Sequence, residues 1–509
     1  MSKPASAQPL SLFSEDDFDQ PVGNWQVEQF SANGICDETE RQRIEEKYWG
    51  ITEVTDRFSR QSVSYQLSKN DSVHRWLKYK EGFSAELVRT LLRDFKLKPG
   101  DMVLDPFMGS GTTAMVSSML GFNSCGFDIL PMSKVSIQAK SVVYDYDVQE
   151  LQQVIGEIKQ LTLPEDYTEE TPYVSITSEG YPAQTARELA YYTDYIMRSQ
   201  HSDIVKNLVR LCILNTLEPI SYSSKQGQYL AWDYRCPKII AAVKEREEKG
   251  RKPFATRLDK GVIPGLKETL LAELNNVLDD IVNIQRKGTP LSGRCDYTEG
   301  SVLFELPKMP ADTIDAVITS PPYCNRYDYT RTYAMELAYL GKTDADIRAL
   351  RQELLSCTVE NKTKIDRLRD FYQSIGREQD FDHTLTIIRQ NKALQEVNAA
   401  LQARSRQGEI NNKGVLKMVD GYFTELGFLF AELFRVCKSG AQLAFVNDNV
   451  RYAGEVIPVD YLTTNLAEQL GFKAVKIYTL RQQKGNSSQQ MAKYGRVALR
   501  KSITIWEKP

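Results

Sequence analysis

The chain has 509 residues, more than one ordinary hydrophobic core organises, so one large domain with insertions or two to three domains is expected. Its 41% hydrophobic and 26% charged residues are those of a globular protein, and no apolar run approaches the roughly 20 residues that a membrane span needs. A net charge of −3 argues against a protein that coats nucleic acid, while leaving room for a local basic groove.

Residues 1–8 lack the basic-then-apolar pattern of a signal peptide, and a cytoplasmic protein is the expectation. Residues 1–60 are polar, with few periodic apolar positions, and read as an N-terminal extension or arm. Residues 83–95 (FSAELVRTLLRDF) place Phe83, Leu87, Leu91 and Phe95 at helical spacing, with Ser84 as N-cap. Pro99-Gly100 breaks the chain. DMVLD (101–105) then reads as a short buried strand, followed by a glycine-rich turn, a helix near 112–120 and a second strand, NSCGFDI (123–129), that ends in an acid. Strand, glycine turn, helix, strand is half of a doubly wound α/β sheet.

The alternation then stops. Residues 141–290 read as a mostly helical insertion with tyrosine-rich connections. The pattern returns at TIDAVITS (313–320), a near-continuous apolar strand of the kind buried on both faces. Residues 342–415 are again helical and highly charged. A long helix near 419–436 leads through Lys438-Ser439-Gly440 into the strand AQLAFV (441–446), then a helix near 459–470, the strand FKAVKIYTL and a closing strand in VALRKSITIWEK. The expected organisation is an α/β core in three parts, 61–140, 291–341 and 416–509, interrupted by two helical insertions, 141–290 and 342–415.

Two segments carry chemistry. The first is Asp105-Pro106-Phe107-Met108-Gly109-Ser110-Gly111-Thr112-Thr113. Gly109 and Gly111 let the backbone turn sharply and approach a ligand, and the turn opens a helix whose first N–H groups favour an anion. Asp105 stands at the carboxyl end of its strand, where open α/β sheets bind ligands. Asp128 follows at the end of the next strand, where an acid can bind ribose hydroxyls. A glycine pair alone also suits a plain strand-to-helix turn. A nicotinamide site would want a third glycine where this chain has Thr112, Thr113 and Ala114.

The second segment is Thr319-Ser320-Pro321-Pro322-Tyr323. Two prolines fix φ and remove two donors, leaving a rigid strand-end turn with carbonyls, a hydroxyl and an aromatic ring. Such a turn suits a planar ligand bearing an NH2 group. Ser320 and the Pro321 carbonyl can accept its hydrogens while Tyr323 stacks on its face. Accepting both N–H bonds localises the amine lone pair, so in-line positioning can supply much of the rate without a strong base. A proline-rich turn without chemistry is the bland alternative.

With both segments present, the chain resembles the N4-cytosine/N6-adenine DNA methyltransferase family, over the three core parts but not the insertions or residues 1–60. The resemblance implies a Rossmann-like sheet, S-adenosyl-L-methionine as cofactor, and duplex DNA with a flipped target base as substrate. It implies that Asp105, Pro106, Phe107, Gly109, Ser110, Gly111 and Thr112 hold the methionine part, that Asp128 binds the ribose, and that Ser320, Pro321, Pro322 and Tyr323 are the catalytic motif IV. Residues 80–91 (KEGFSAELVRTL) resemble the segment that closes the cofactor pocket, with Phe83 and Ser84 as contacts, and residues 434–446 resemble the helix–turn–strand after motif IV. Where the family often has an acid for the adenine amine, this chain has Ser301, with Asp296 as a substitute. A serine leading motif IV resembles the cytosine-N4 type, with adenine-N6 as the alternative. The order of motifs leaves 141–290 as a target-recognition region, and the family suggests restriction-modification or phage defence with a cognate endonuclease.

Other features stay open in the sequence. Tyr327 and Tyr329 suit a base pocket or a core, and Arg326 and Arg331 suit phosphate or solvent. The basic stretch from Lys244 to Lys260 is laced with Glu245, Glu247, Glu248 and Asp259, as on a solvated helix face, or it touches DNA backbone. Residues 484–496 (KGNSSQQMAKYGR) read as a loop near substrate. The 8 cysteines form no CxxC pair and there are 3 histidines, so no metal site is expected; the thiols read as reduced and structural, a catalytic Cys324 being the alternative. Competing functions are amino methylation of RNA or protein glutamine, and a catalytically silent DNA-binding subunit of a defence complex.

Overall fold

Apolar runs with little room for water on either side make the centre of the fold. The computed structural model describes residues 26–481, except 228, 252–257 and 289–292, and residues 493–509 except 496 and 498. Its main sheet is built from β1 (Thr52–Thr55), β2 (Met102–Asp105), β3 (Asn123–Asp128), β6 (Cys295–Glu299), β7 (Ile314–Thr319), β8 (Cys437–Asp448), β11 (Lys473–Leu480) and β12 (Lys501–Glu507). Two hairpins, β4 (Ser223–Gln226) with β5 (Tyr229–Trp232) and β9 (Val450–Tyr452) with β10 (Glu455–Ile457), stand outside it.

The strand order is β1-β11-β12-β8-β7-β2-β3-β6. All neighbours are parallel except β12, which runs antiparallel to both β11 and β8. This is a Rossmann-like α/β sheet, as the sequence pattern predicts. Successive β7 residues go to opposite sides: Val317 joins the core under helices Gly414–Val436 and Val459–Gln469, and Ile318 joins the core under helix Ala85–Asp94. From β2 the chain winds outward to β3, and from β7 it winds the other way to β8. The order reverses between β2 and β7, which opens a crevice at their carboxyl ends.

Residues 26–60, read from sequence as an extension, are part of the core. β1 pairs in parallel with β11, Thr52 opposite Ile477 through Thr55 opposite Leu480. The helix Thr39–Trp49 turns Arg41, Ile44, Glu45 and Tyr48 inward. Two of those four are charged, so the apolar periodicity that would reveal a buried face is missing. Ion pairs replace it: Arg41 bonds Glu396 at 2.8 Å and Glu455 at 3.0 Å, while Glu45 meets the fully buried Arg500, which also holds Asp460 at 2.8 Å.

Two boundaries also moved. The long helix begins at Gly414, and β8 begins at Cys437, so Lys438-Ser439-Gly440 lies within the strand. Gly440 takes φ +81° and donates its N–H to the Lys508 carbonyl at 2.7 Å, an irregularity that a glycine allows without ending the pairing. The helices between Val148 and Lys287 pack largely on one another, Asp203–Ile220 also meets β4, and the buried Lys225 of β4 pairs with Glu336, beyond the second motif. The later insertion is tied to the hairpin β9–β10 by Arg404 and Glu455 at 2.7 Å. Among the described residues no helix is long and apolar enough to cross a membrane.

Candidate active site

Asp105 ends β2 and turns back on its own loop. Its Oδ1 accepts the Phe107 N–H at 3.0 Å and the Thr319 hydroxyl at 2.7 Å, joining the ends of β2 and β7 across the crevice. Burial pushes its pKa up to about 7. The chain then passes Gly109 at φ +51° and Gly111 at φ +84° before helix Thr112–Met119 starts. Side chains are excluded at both glycines: a Cβ on Gly109 would lie 2.9 Å from the Tyr79 ring, and one on Gly111 would lie 2.7 Å from Ile137 Cγ1. Asp128 fixes the loop from the side. Its Oδ2 accepts the Gly109 N–H at 2.7 Å and its Oδ1 accepts the Leu130 N–H at 2.8 Å. Burial holds this carboxyl above the usual range. Each oxygen keeps a further lone pair for a ligand hydroxyl.

These residues wall a cleft that is open to solvent. Phe83, Asp105, Pro106, Phe107, Gly109, Ser110, Thr112 and Asp128 line it from the first segment and its neighbours, and Ser320 and Pro322 line it from the second. The crevice therefore brings the two segments together. Ser84, Gly111, Pro321 and Tyr323 are not on its wall. Ser84 is fully buried, and its hydroxyl caps helix Ala85–Asp94 by accepting the Leu87 N–H at 3.3 Å.

Tyr323 is joined to Ser320 by a hydrogen bond and does not line this cleft. The Ser320 hydroxyl donates to the Tyr323 oxygen at 3.0 Å. The Lys501 ammonium, paired with Asp448 at 3.1 Å, sits 4.8 Å from the Tyr323 ring centroid. Burial raises the Tyr323 pKa, so the ring carries a neutral hydroxyl. Cys324 next to it is fully buried, burial pushes its thiol far up, and its carbonyl accepts the Tyr452 hydroxyl at 2.6 Å. A protonated, enclosed thiol is no nucleophile.

The sequence reading did not single out Tyr79, Glu81 and residues 353–355 of the cleft wall. Tyr79 stacks on Tyr333 at 5.3 Å, and the Tyr333 hydroxyl donates to Glu81 at 2.5 Å. Glu81 lies within residues 80–91, the segment that resembles the pocket-closing one, and Tyr79 adjoins it. Glu353, Leu354 and Leu355 come from the second insertion, where no motif marks them. Ser301 lines the cleft and donates to the Glu353 carbonyl at 3.0 Å, whereas Asp296 is not on its wall and pairs with Arg294 at 2.7 Å.

Tyr329 is buried and on the wall; Tyr327 is buried against it at 5.0 Å. Arg326 is exposed at φ +65°, and Arg331 pairs with Glu360 at 2.9 Å. On helix Pro237–Glu248, which buries none of its residues, Glu245 pairs with Lys249 as an i,i+4 contact. Lys252 and Arg257 of the basic stretch lie outside the described residues, as do residues 484–492 and 496 of the polar loop.

The donor set fits S-adenosyl-L-methionine. The N-terminal N–H groups of Thr112–Met119 suit a carboxylate, Asp105, Asp128 and Glu81 suit cationic and hydroxyl groups, and Phe107, Ile129, Leu130 and Leu355 give an apolar floor for a flat ring.

The chain is similar to known proteins. A family described as DNA methylase matches residues 12–137. The chain is 52% identical over 486 residues to Type II methyltransferase M.BsoBI of Geobacillus stearothermophilus, covering 96% of this chain and 95% of that protein. It is 36% identical over 475 residues to Type II methyltransferase M.AvaI of a Nostoc species, covering 92% of each. A shorter likeness, 39% over 84 residues, links it to Type II methyltransferase M.MjaII of Methanocaldococcus jannaschii.

Proposed function

This chain belongs to the N6/N4 family of DNA methylases, enzymes that take their methyl group from S-adenosyl-L-methionine, and we propose that it methylates the N4 amine of a cytosine flipped out of duplex DNA. When bound, the cofactor supplies an electrophilic methyl group. Everything else falls to the chain. The turn after β2 and Asp128 hold the cofactor in the crevice. Ser320 and the Pro321 carbonyl accept the two amine hydrogens, and Tyr323 packs on the base.

One observation carries the assignment of roles. The Ser320 hydroxyl hydrogen is directed to the Tyr323 oxygen at 3.0 Å, so its lone pairs remain for an amine N–H at the edge of the cleft. The hydroxyl acts as an acceptor there, which is what pyramidalising an exocyclic amine needs. Serine in the first place of the motif supports cytosine over adenine; N6 of adenine is the second reading.

The target base leaves the stack because the amine cannot meet a buried methyl donor inside a duplex. Residues 141–290 are the proposed target-recognition region. Their hairpin β4–β5 packs at the segment after the second motif, where Lys225 pairs with Glu336 and sits 4.1 Å over the Tyr333 ring. We place the enzyme in a restriction-modification system, protecting sites that a cognate endonuclease would cut.

The test is to incubate the protein with mixed-sequence duplex DNA and tritiated S-adenosylmethionine, digest the DNA and identify the labelled nucleoside. N4-methylcytosine supports the proposal, and N6-methyladenine replaces it with the second reading. Unlabelled DNA with bound cofactor would overturn the substrate.

A further inference from the structure

Lys140 is a lysine in an unusual place. It lies on helix Pro131–Ser141, has no exposed surface, and makes no ion pair among the described residues. Its Nζ donates to the Ser110 carbonyl at 2.8 Å, and the Ser136 hydroxyl donates to the same oxygen at 3.1 Å. Ser110 is on the cleft wall, in the turn closed by the Gly111 N–H onto the Met108 carbonyl at 2.8 Å. His74 is buried in the same surroundings with both ring nitrogens lacking hydrogen-bond partners. Burial and the Lys140 charge push His74 down to about 3, so it is neutral and adds no second positive charge.

A buried ammonium with one neutral anchor is costly unless an opposite charge or further hydrogen bonds compensate it. Burial alone pulls Lys140 down to about 7. An anion arriving on the other side of the Ser110 turn would relieve that cost, and the first N–H groups of helix Thr112–Met119 already favour an anion there.

We propose that Lys140 is a positioning residue for the cofactor's carboxylate: it clamps the Ser110 carbonyl from behind the loop and sets its charge beneath the carboxylate subsite without touching the ligand. The inference rests on placing the cofactor at this turn. It adds a second layer to the site, since Lys140 lies about thirty residues after the loop it would serve and outside the first motif.

The experiment measures binding by calorimetry of two probes to Lys140→Met, a variant of similar length without charge. S-adenosylhomocysteine carries the carboxylate, and 5′-methylthioadenosine lacks the whole amino-acid part. The expected result is an affinity loss of about tenfold or more for S-adenosylhomocysteine, from losing one buried charge that acts across the turn, with 5′-methylthioadenosine changed less than about twofold. Equal losses for both probes mean a merely structural lysine and overturn the proposal, as does no loss for either. Asp128→Ala runs in parallel and is expected to weaken both probes. If it weakens neither, the cofactor placement itself fails. Should Lys140→Met not give folded protein, Lys140→Gln supplies the same comparison.

Discussion

Replacing Asp105 by Asn should stabilise the cofactor-free protein in alkali. The carboxyl is 2% exposed, and burial moves its pKa from 3.8 to about 7. That rise of about three units, at about 1.36 kcal/mol each, sets a ceiling of about 4 kcal/mol. The folded state binds this proton more tightly than the unfolded state. Its stabilising contribution is therefore complete below about pH 4 and is lost as pH rises through about 7. Asn is neutral at every pH and keeps the shape. Both donors, Phe107 N–H and the Thr319 hydroxyl, address Oδ1, which Asn retains as a carbonyl. Thermal unfolding without cofactor is the assay. Asp105→Asn should melt a few degrees above the parent at pH 8.5, with more than half of that gap gone at pH 5. A gap that does not change with pH, or a variant less stable at pH 8.5, would refute the buried-carboxylate argument. The same change should weaken S-adenosylhomocysteine binding, because the proposed site loses its negative charge.

Ser320→Ala and Tyr323→Ala should each lower kcat by about tenfold to a hundredfold, the size of one hydrogen bond or one stacking contact, while S-adenosylhomocysteine affinity stays within about twofold. Steady-state methylation with calorimetry separates the two quantities. Gly111→Ala puts a Cβ at φ +84° and 2.7 Å from Ile137 Cγ1, and should cost about 2–4 kcal/mol of stability with weaker cofactor binding. Adding Ile137→Ala should recover the steric part, as read by urea unfolding. Arg500→Met leaves Glu45 and Asp460 buried without their cation and should cost about 3–5 kcal/mol. Loss of less than about 1 kcal/mol in urea unfolding would mean that the helix Thr39–Trp49 is not fastened to the core through this pair.

Residues that act within one short segment were legible in the sequence. The apolar run of β7, the glycine turn after β2 and the proline turn after β7 each fix their local backbone through their own sterics, and the α/β sheet follows from alternating such runs with helices. Asp105, Gly109, Asp128 and Ser320 were read in this way, and strand ends that lie side by side put them on one cleft; Phe83 was read from the family resemblance of its segment. The tertiary structure alone decided the rest. Glu353, Leu354 and Leu355 reach the cleft from an insertion whose helical periodicity says nothing of where it packs. β1 joins the sheet through four residues, too few for a periodic signal, and the helix before it buries Arg41 and Glu45, whose partners Glu396 and Arg500 lie hundreds of residues away. A buried charge looks like a surface charge in a sequence, because what makes its burial tolerable is a partner brought there only by folding.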